Sequence, residues 1–339
     1  MNPMEFVAPV YEENVLDLYD ISLLLNYERA STEPRFRQTK LREVATTDDF
    51  KTVRLLTPIW QEATVPRTGL VFDRTRPPPK KRDEPDLPTN MLASPIPNNL
   101  KSLTPKELET YYWQARNHDG CFRTVTLFQH FIDLFPDFTR VRVRTVTKDK
   151  PRTYSTLASD RVIVEFQLFE PANMTMAMVL PDNQTHISGG QPIVDHAVLG
   201  FSAPAANVDT ILDLASLQFG DVGRGVKGRS LFVVEPIEQY VSRLSKYANH
   251  HDFHQAKHSL RINDAPDSDW LREVAKKVKE RWDNRINEHW CGHCGAPPLG
   301  EDLKRCAPCK QAYYCNSEHQ LAAWPFHKHF CVDLNTKKQ

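Results

Sequence analysis

The sequence predicts an α+β protein that ends in a small Cys/His-rich module. Three observations support this. A capped helix near residue 104 leads into a second helix and then into six β-rich runs, so helices and strands are segregated rather than alternating. Residues 268–290 carry apolar side chains at helical spacing among many charges. Six of the seven cysteines of the 339-residue chain lie between residues 291 and 331.

The elements follow in chain order. Residues 1–65 are expected to form a partly helical N-terminal segment. Val15, Leu16, Tyr19, Leu23 and Tyr27 place a helix over 12–27, and a further apolar stretch covers 50–60. Residues 66–103 read as a proline-rich linker, with Pro66, Pro77, Pro78, Pro79, Pro85, Pro88, Pro95 and Pro97. Proline at this density blocks helices and strand ladders. Lys80-Lys81-Arg82 inside it reads as a solvated loop, with a nuclear import signal as the competing reading.

Residues 104–260 are expected to be the central α+β domain. Thr104-Pro105-Lys106-Glu107 is a capping box with proline at the first helical position. That helix is expected to reach Arg116 and to end at Asn117-His118-Asp119-Gly120. A second helix presents Leu127, Phe131, Leu134 and Phe135. Strands are expected at 141–146, 161–169, 174–180, 196–201, 211–214 and 231–234, and a helix at 236–247. Residues 261–290 supply a connecting amphipathic helix bearing Leu271, Val274, Val278, Trp282 and Ile286. The module at 291–331 and a tail at 332–339 complete the chain.

Charge balance bounds the partners. The 43 basic and 43 acidic residues cancel, which argues against a dominant nucleic-acid or anionic-membrane surface. No apolar run approaches the roughly 18 residues of a membrane span. Met1 to Tyr11 show no apolar leader, so an intracellular location, nucleus or cytoplasm, with reduced thiols is expected.

The cysteines and histidines of the module come in pairs: Cys291 and Cys294, Cys306 and Cys309, Cys315 and His319, His327 and Cys331. Thiolates and imidazoles at such spacing are what tetrahedral zinc requires, and four pairs make two coordination spheres. Disulfides are the competing reading, and reduced thiols disfavour it. Positions four apart share a helix face, so the last two pairs are expected on helices. Asn316 or Ser317 would cap the first, and Pro325 would break it and open another turn. His289, His293 and His329 are expected to stand outside the metal sites. Spacing alone permits a sequential or an interleaved pairing.

Residues 291–331 resemble a MYND zinc finger. The likeness rests on the paired spacings, Tyr313-Tyr314-Cys315, Gln320, Trp324-Pro325-Phe326-His327 and the closing Cys331. The resemblance implies two interleaved structural zinc ions. One would take Cys291, Cys294, Cys315 and His319, and the other Cys306, Cys309, His327 and Cys331. His319 stands where the family usually has cysteine. The resemblance also implies a protein–protein adaptor that binds proline-containing peptides, with Gln320 and Trp324 as surface candidates. Zinc held by four protein ligands keeps no open position for chemistry.

A second constellation lies outside the module. Cys121 opens a helix, where the dipole favours a thiolate. His196 sits in one strand and Asp213 at the end of another. Nucleophile, base and orienting carboxylate are the parts of a thiol acyl-transfer site. Gly120-Cys121-Phe122, Asp195-His196-Ala197 and Leu212-Asp213-Leu214 resemble a papain-like or transglutaminase-like core, with Val198 where that core often has an aromatic residue. The resemblance implies an acyl-transfer or thiol-hydrolase enzyme in which the finger recruits substrate or partner. The competing readings are a buried structural cysteine and an inert scaffold. The Gly223–Gly228 run fits GxGxxG, but a strand follows it, so a loop is expected. His250, His254 and His258 are expected on a solvated polar helix.

Overall fold

The computed structural model describes residues 15–46, 49–54, 57–74, 84–202, 207–263 and 268–332. The first half holds β1 (Val15–Asp17), α1 (Leu18–Thr32), β2 (Thr39–Ala45), α2 (Pro58–Gln61), β3 (Arg67–Arg74), α3 (Pro105–Arg116), α4 (Cys121–Ile132), β4 (Arg140–Thr147) and β5 (Lys150–Leu157). Then come β6 (Val162–Pro171), β7 (Met174–Leu180), β8 (Gln184–Ser188), β9 (Ile193–Ser202), β10 (Val208–Asp213), α5 (Val226–Arg229), β11 (Val233–Pro236) and α6 (Ile237–Leu244). The last part holds β12 (Ala248–His251), β13 (Lys257–Ser259), α7 (Ser268–Asp283), β14 (Lys304–Arg305), β15 (Tyr313–Tyr314) and α8 (Ser317–His327).

The fold is α+β. One sheet runs β11-β10-β9-β6-β12, with β13 also on β6, and all its described pairings are antiparallel. A second runs β2-β3-β7-β8, with β3 and β7 parallel. A third joins β1 parallel to β4 and β4 antiparallel to β5. The chemistry of each strand matches its place. β2 alternates buried and half-buried residues, while the central β7, Met174 to Leu180, is buried along nearly its whole length.

The capping box forms as expected: the Thr104 hydroxyl accepts from Glu107 N–H, and the Glu107 carboxylate accepts from Thr104 N–H at 2.8 Å. Other expectations change. The helix over 12–27 begins only at Leu18, because Asp17 caps it through Asp20 N–H, and Val15–Asp17 pairs as a strand with β4. The proline-rich stretch 66–103 is not a simple linker. Its residues 67–74 form β3, the strand between β2 and β7, and Asp86, Met91 and Leu100 are buried. Prolines flank this strand instead of interrupting it. Lys80-Lys81-Arg82 lies outside the described residues, as do 333–339 of the tail. β5 and β8 are polar and half exposed, so no apolar alternation announced them. His250 and His258 stand on β12 and β13, and His254 in the short 3-10 helix Phe253–Gln255 between them, so the three do not share one helix. The expected amphipathic helix ends at Asp283, which leaves Ile286 beyond it and 82% exposed.

α1 lies at the centre. It shares one apolar cluster with α4, α7, β4 and β9, and Phe326 of α8 joins that cluster. Its Ala30 belongs to a second cluster with α3, β3 and β7. The N-terminal segment and the central region therefore share a core. Among the described residues no helix is long and apolar enough to cross a membrane.

The start of α1 carries a pH-sensitive pair. Asp17 is buried, which by itself would raise its carboxyl, but Arg144 and Arg142 at 2.7 and 2.8 Å hold it below the usual value. Asp20 is pushed up to about 6 by burial and by the Asp17 charge. A raised carboxyl favours folding while protonated, and that contribution is lost as pH rises from 3.8 through about 6. Asp20→Asn is expected to raise Tm well above pH 6 and to leave it nearly unchanged below pH 3.8, as checked by thermal melts across that range.

Candidate functional site

The C-terminal module is built from two cysteine turns, a two-residue hairpin and one helix. In each turn the backbone folds back after the second cysteine: Gly295 N–H donates to Cys291 O and Lys310 N–H to Cys306 O, both residues having positive φ. β14 and β15 pair Lys304 with Tyr314 and Arg305 with Tyr313. α8 is capped by the Asn316 side chain, which accepts from His319 N–H at 2.8 Å. Pro325 does not break α8, which continues to His327. Proline removes one N–H and clashes with the preceding turn, yet here it sits in the final turn of an outer helix.

Two clusters result. Cys291, Cys294, Cys315 and His319 form one, and Cys306, Cys309, His327 and Cys331 the other. The pairing is interleaved. Neither i,i+4 pair shares a regular helix face: Cys315 precedes the cap of α8 and Cys331 follows its end. Each pair brackets a helix terminus instead. Cys294 and Cys315 sulfurs are 3.7 Å apart, and Cys306 and Cys331 sulfurs 3.9 Å. Cys291 Sγ is 3.3 Å from His319 Nδ1, and Cys309 Sγ 3.5 Å from His327 Nε2. A tetrahedron with Zn–S of about 2.3 Å has edges of about 3.8 Å. The spacing therefore fits a shared zinc and exceeds the roughly 2.05 Å of a disulfide. Both donor sets are Cys3His, so each occupied sphere would carry one net negative charge, with all four positions filled by protein and no water to activate.

The module is docked on the body. Gly295 fits against α1 so closely that a Cβ there would lie 2.3 Å from Leu23 O. Arg281 of α7 joins three elements: its Nη1 donates to Glu28 Oε1 of α1 at 2.7 Å and its Nη2 to Gly295 O at 3.0 Å. Phe326 stacks on Tyr19 with centroids 3.8 Å apart and planes within 9°. The Arg144 guanidinium lies 5.4 Å from the Phe326 ring and 5.0 Å from that of Phe330.

His293 is buried here with its Nε2 3.0 Å from Glu109 Oε1, and Arg224 holds the other Glu109 oxygen at 2.9 Å. As expected, His293 is outside both zinc clusters, though Glu109, His293 and His319 form a third close group of donor side chains. His289 stacks on Tyr313, and His329 lies 3.5 Å from Asp149. Glu109, Arg281 and Gly295 gave no sequence signal, because a docking residue has no local pattern.

The structure also brings Cys121, His196 and Asp213 together. α4 starts at Cys121, and the neighbouring strands β9 and β10 carry His196 and Asp213. His196 Nε2 is 3.0 Å from Asp213 Oδ2 and 3.1 Å from the Tyr240 hydroxyl, which donates to the same carboxylate oxygen at 2.9 Å. Gln218 lies 3.0 Å from His196 Nδ1, and the Cys121 thiol faces Asp195 O at 3.8 Å. Burial opposes charge on His196, but the Asp213 carboxylate and then the Cys121 sulfur outweigh it, and the imidazole is raised to about 10. Phe166, Phe219 and Tyr247 surround the ring. Cys121, His196 and Asp213 are 3%, 0% and 1% exposed, so the cluster is closed to solvent. Tyr240 and Gln218, its other members, were not foreseen. The Gly223–Gly228 run, expected as a loop, enters the single turn α5, irregular at Lys227 and Gly228, and folds back through Gly225 N–H to Ser230 O.

Comparison with known proteins bears on the module. The MYND finger family matches residues 291–331. A SET and MYND domain-containing protein of Dictyostelium discoideum is 49% identical over 37 residues, 11% of this chain and 7% of that protein. The N-lysine methyltransferase SMYD2-A of Danio rerio is 58% identical over 31 residues, 9% of this chain and 7% of that one. The chain thus spans less than a tenth of these relatives. No solved structure gives a significant match. Residues 291–331 are a MYND finger, a zinc-binding protein-interaction module whose two clusters fit two structural zinc ions. The likeness of the central region to a papain-like or transglutaminase-like core has no support from these comparisons.

Two outcomes are expected. Metal analysis should find two zinc ions per chain, and chelation should lower the melting temperature of the body as well, since Phe326 and Gly295 leave the surface of α1 with the finger. His196→Ala strands the buried Asp213 charge and should cost about 3–5 kcal/mol in urea unfolding.

Proposed function

We propose that this protein is an adaptor whose finger binds a short proline-containing segment of a partner protein. The observation behind this reading is the sidedness of α8. Ala323 and Phe326 are buried against the finger and the body, while Leu321 and Trp324 are 68% and 41% exposed, with Gln320 half-buried beside them. An exposed tryptophan next to an amide suits proline rings, which stack on aromatic faces while a side-chain amide bonds the extended backbone between them. The body contributes rigidity, since the finger is held by Arg281, Gly295 and Phe326 and its peptide face is fixed before binding. A preformed face loses less entropy on association. The methyl transfer named for one relative is not carried over, because only 7% of that protein is matched.

A second reading draws on His196 lying 3.0 Å from Asp213 with Cys121 close by. In it the Cys121 thiolate attacks an acyl carbonyl, a thioester forms as the leaving group departs, and the His196 imidazolium protonates that leaving group. The segment from Ser216 to Gly223, which carries Gln218 and Phe219, would have to open first. Labelling by a thiol-reactive probe at near-neutral pH, abolished by His196→Ala, supports it. A Cys121 no faster than free cysteine leaves the adaptor alone.

For the adaptor, Trp324→Ala should leave zinc content and melting temperature intact and weaken a proline-rich peptide by about 2 kcal/mol, some thirtyfold, in a fluorescence or calorimetric titration. Unchanged affinity would remove the proposal.

A further inference from the structure

His319 is the one ligand of the first cluster with a second polar atom to place. Its Nδ1 lies 3.3 Å from Cys291 Sγ, close to an edge of the coordination tetrahedron. With that nitrogen on the metal, the imidazole is neutral and its Nε2 carries the proton. Cysteine, which usually stands at this position in MYND fingers, brings no such N–H. A metal-bound histidine directs its far nitrogen at a carboxylate, a carbonyl or water, and that partner fixes the ring and raises its basicity. A histidine here therefore calls for an outer partner that the cysteine does without.

The groups that face this imidazole come partly from the body. The ring of His293, which lies between Cys291 and Cys294 in the chain, meets that of His319 edge to face, with centroids 4.8 Å apart and planes at 65°. His293 Nε2 is in turn 3.0 Å from Oε1 of Glu109 on α3. A nitrogen of each histidine and a Glu109 oxygen all lie within 4.8 Å of one another. Glu109 thus acts on His319 in two ways. It holds the edge of the His293 ring against it, and it places a carboxylate beside it.

The carboxylate is itself held in place. Arg224 Nη2 lies 2.9 Å from Glu109 Oε2, and the same guanidinium donates to Thr110 Oγ1 at 2.9 Å and to Asp221 Oδ1 at 3.1 Å. The side chains of Arg224, His293 and Glu109 are 2%, 3% and 14% exposed, so little water competes for these contacts. α3 is anchored in the body through Leu108, Tyr112, Trp113 and Ala115. The second cluster is built differently. His327 faces Cys309 Sγ with its Nε2 and has the rings of Tyr314 and Trp324 about it. Among the described residues no carboxylate shares a close donor group with His327.

We propose that Glu109, acting through His293, is a positioning residue for the zinc of the first cluster. The body presents a fixed carboxylate to the imidazole side of that site, and the ion there is bound more tightly for it. The histidine at 319 and the carboxylate at 109 then belong together: one departs from the usual finger, and the other, from outside the finger, supplies what the departure requires. Linkage makes the effect mutual, so the ion holds α3 against the finger by the same factor. The inference rests on the two-zinc reading of the finger and is independent of any peptide partner.

The test loads the full-length chain with zinc and withdraws the metal with a chromophoric chelator of graded concentration. The parent should release two ions. Glu109→Gln should weaken one of them by about tenfold to a hundredfold and leave the other unchanged. If Glu109→Gln does not fold, His293→Phe gives the same reading, since it keeps a ring in place and leaves Glu109 paired with Arg224. In a His319→Cys background neither substitution should alter zinc affinity, because a thiolate has no far N–H to direct. That background separates positioning from a mere loss of docking. Two ions held as tightly in the variants as in the parent, or an equal weakening in the His319→Cys background, would overturn the proposal. A parent that holds no zinc at all would instead remove the metal sites, and the proposal with them.

Discussion

The structure depends on burying a charged helix. α1 has 13 of its 15 residues buried, and these include Glu28 and Arg29, with Asp17 and Glu33 buried at its two ends. A buried charge is tolerated only when it is paired and hydrogen-bonded. Three of these four draw partners from distant parts of the chain, Asp17 from Arg142 and Arg144 of β4, Glu28 from Arg281 and Lys277 of α7, and Arg29 from Arg116 and Asn117, while Glu33 is paired locally by Arg35 and lies 3.8 Å from Arg29. The helix thereby specifies which elements surround it, something apolar contacts alone do weakly.

The finger belongs to the same scheme. The guanidinium that neutralises Glu28 also binds Gly295 O, and the one that neutralises Asp17 lies against Phe326 and Phe330. A zinc module of about 40 residues has too little core to hold itself together. Metal supplies its internal order, and α1 supplies a platform. This arrangement separates two surfaces of α8: its Phe326 side is committed to the body, and its Leu321 and Trp324 side is left outside. The surface proposed for a partner is what the docking leaves uncovered.

The Cys121 cluster shows how little a set of residue types says about access. The three groups meet, yet the ring of His196 carries its charge toward Asp213 and aromatic side chains close the surroundings. The same geometry serves a buried structural network as well as a nucleophilic site, and exposure separates the two.

Elements whose signals are local were legible in the sequence. The capping box at Thr104, the apolar strand Met174–Leu180 and the eight Cys/His residues of the two clusters are written in spacings of a few residues, because caps, pleats and coordination turns are made by near neighbours. The interleaved ligand sets came from family likeness, since pair spacing is the same in either arrangement. Tertiary structure alone decided the rest. β3 was hidden because its strand character comes from the partners on either side, and the prolines around it suggested a linker. β5 and β8 were hidden because half-exposed strands need no apolar alternation. Pro325 stayed inside α8 because its lost bond falls in an outer last turn. Gly295, Arg281 and Glu109 acquired meaning only when residues far apart in the chain were brought within contact, and a one-dimensional pattern carries no distance of that kind.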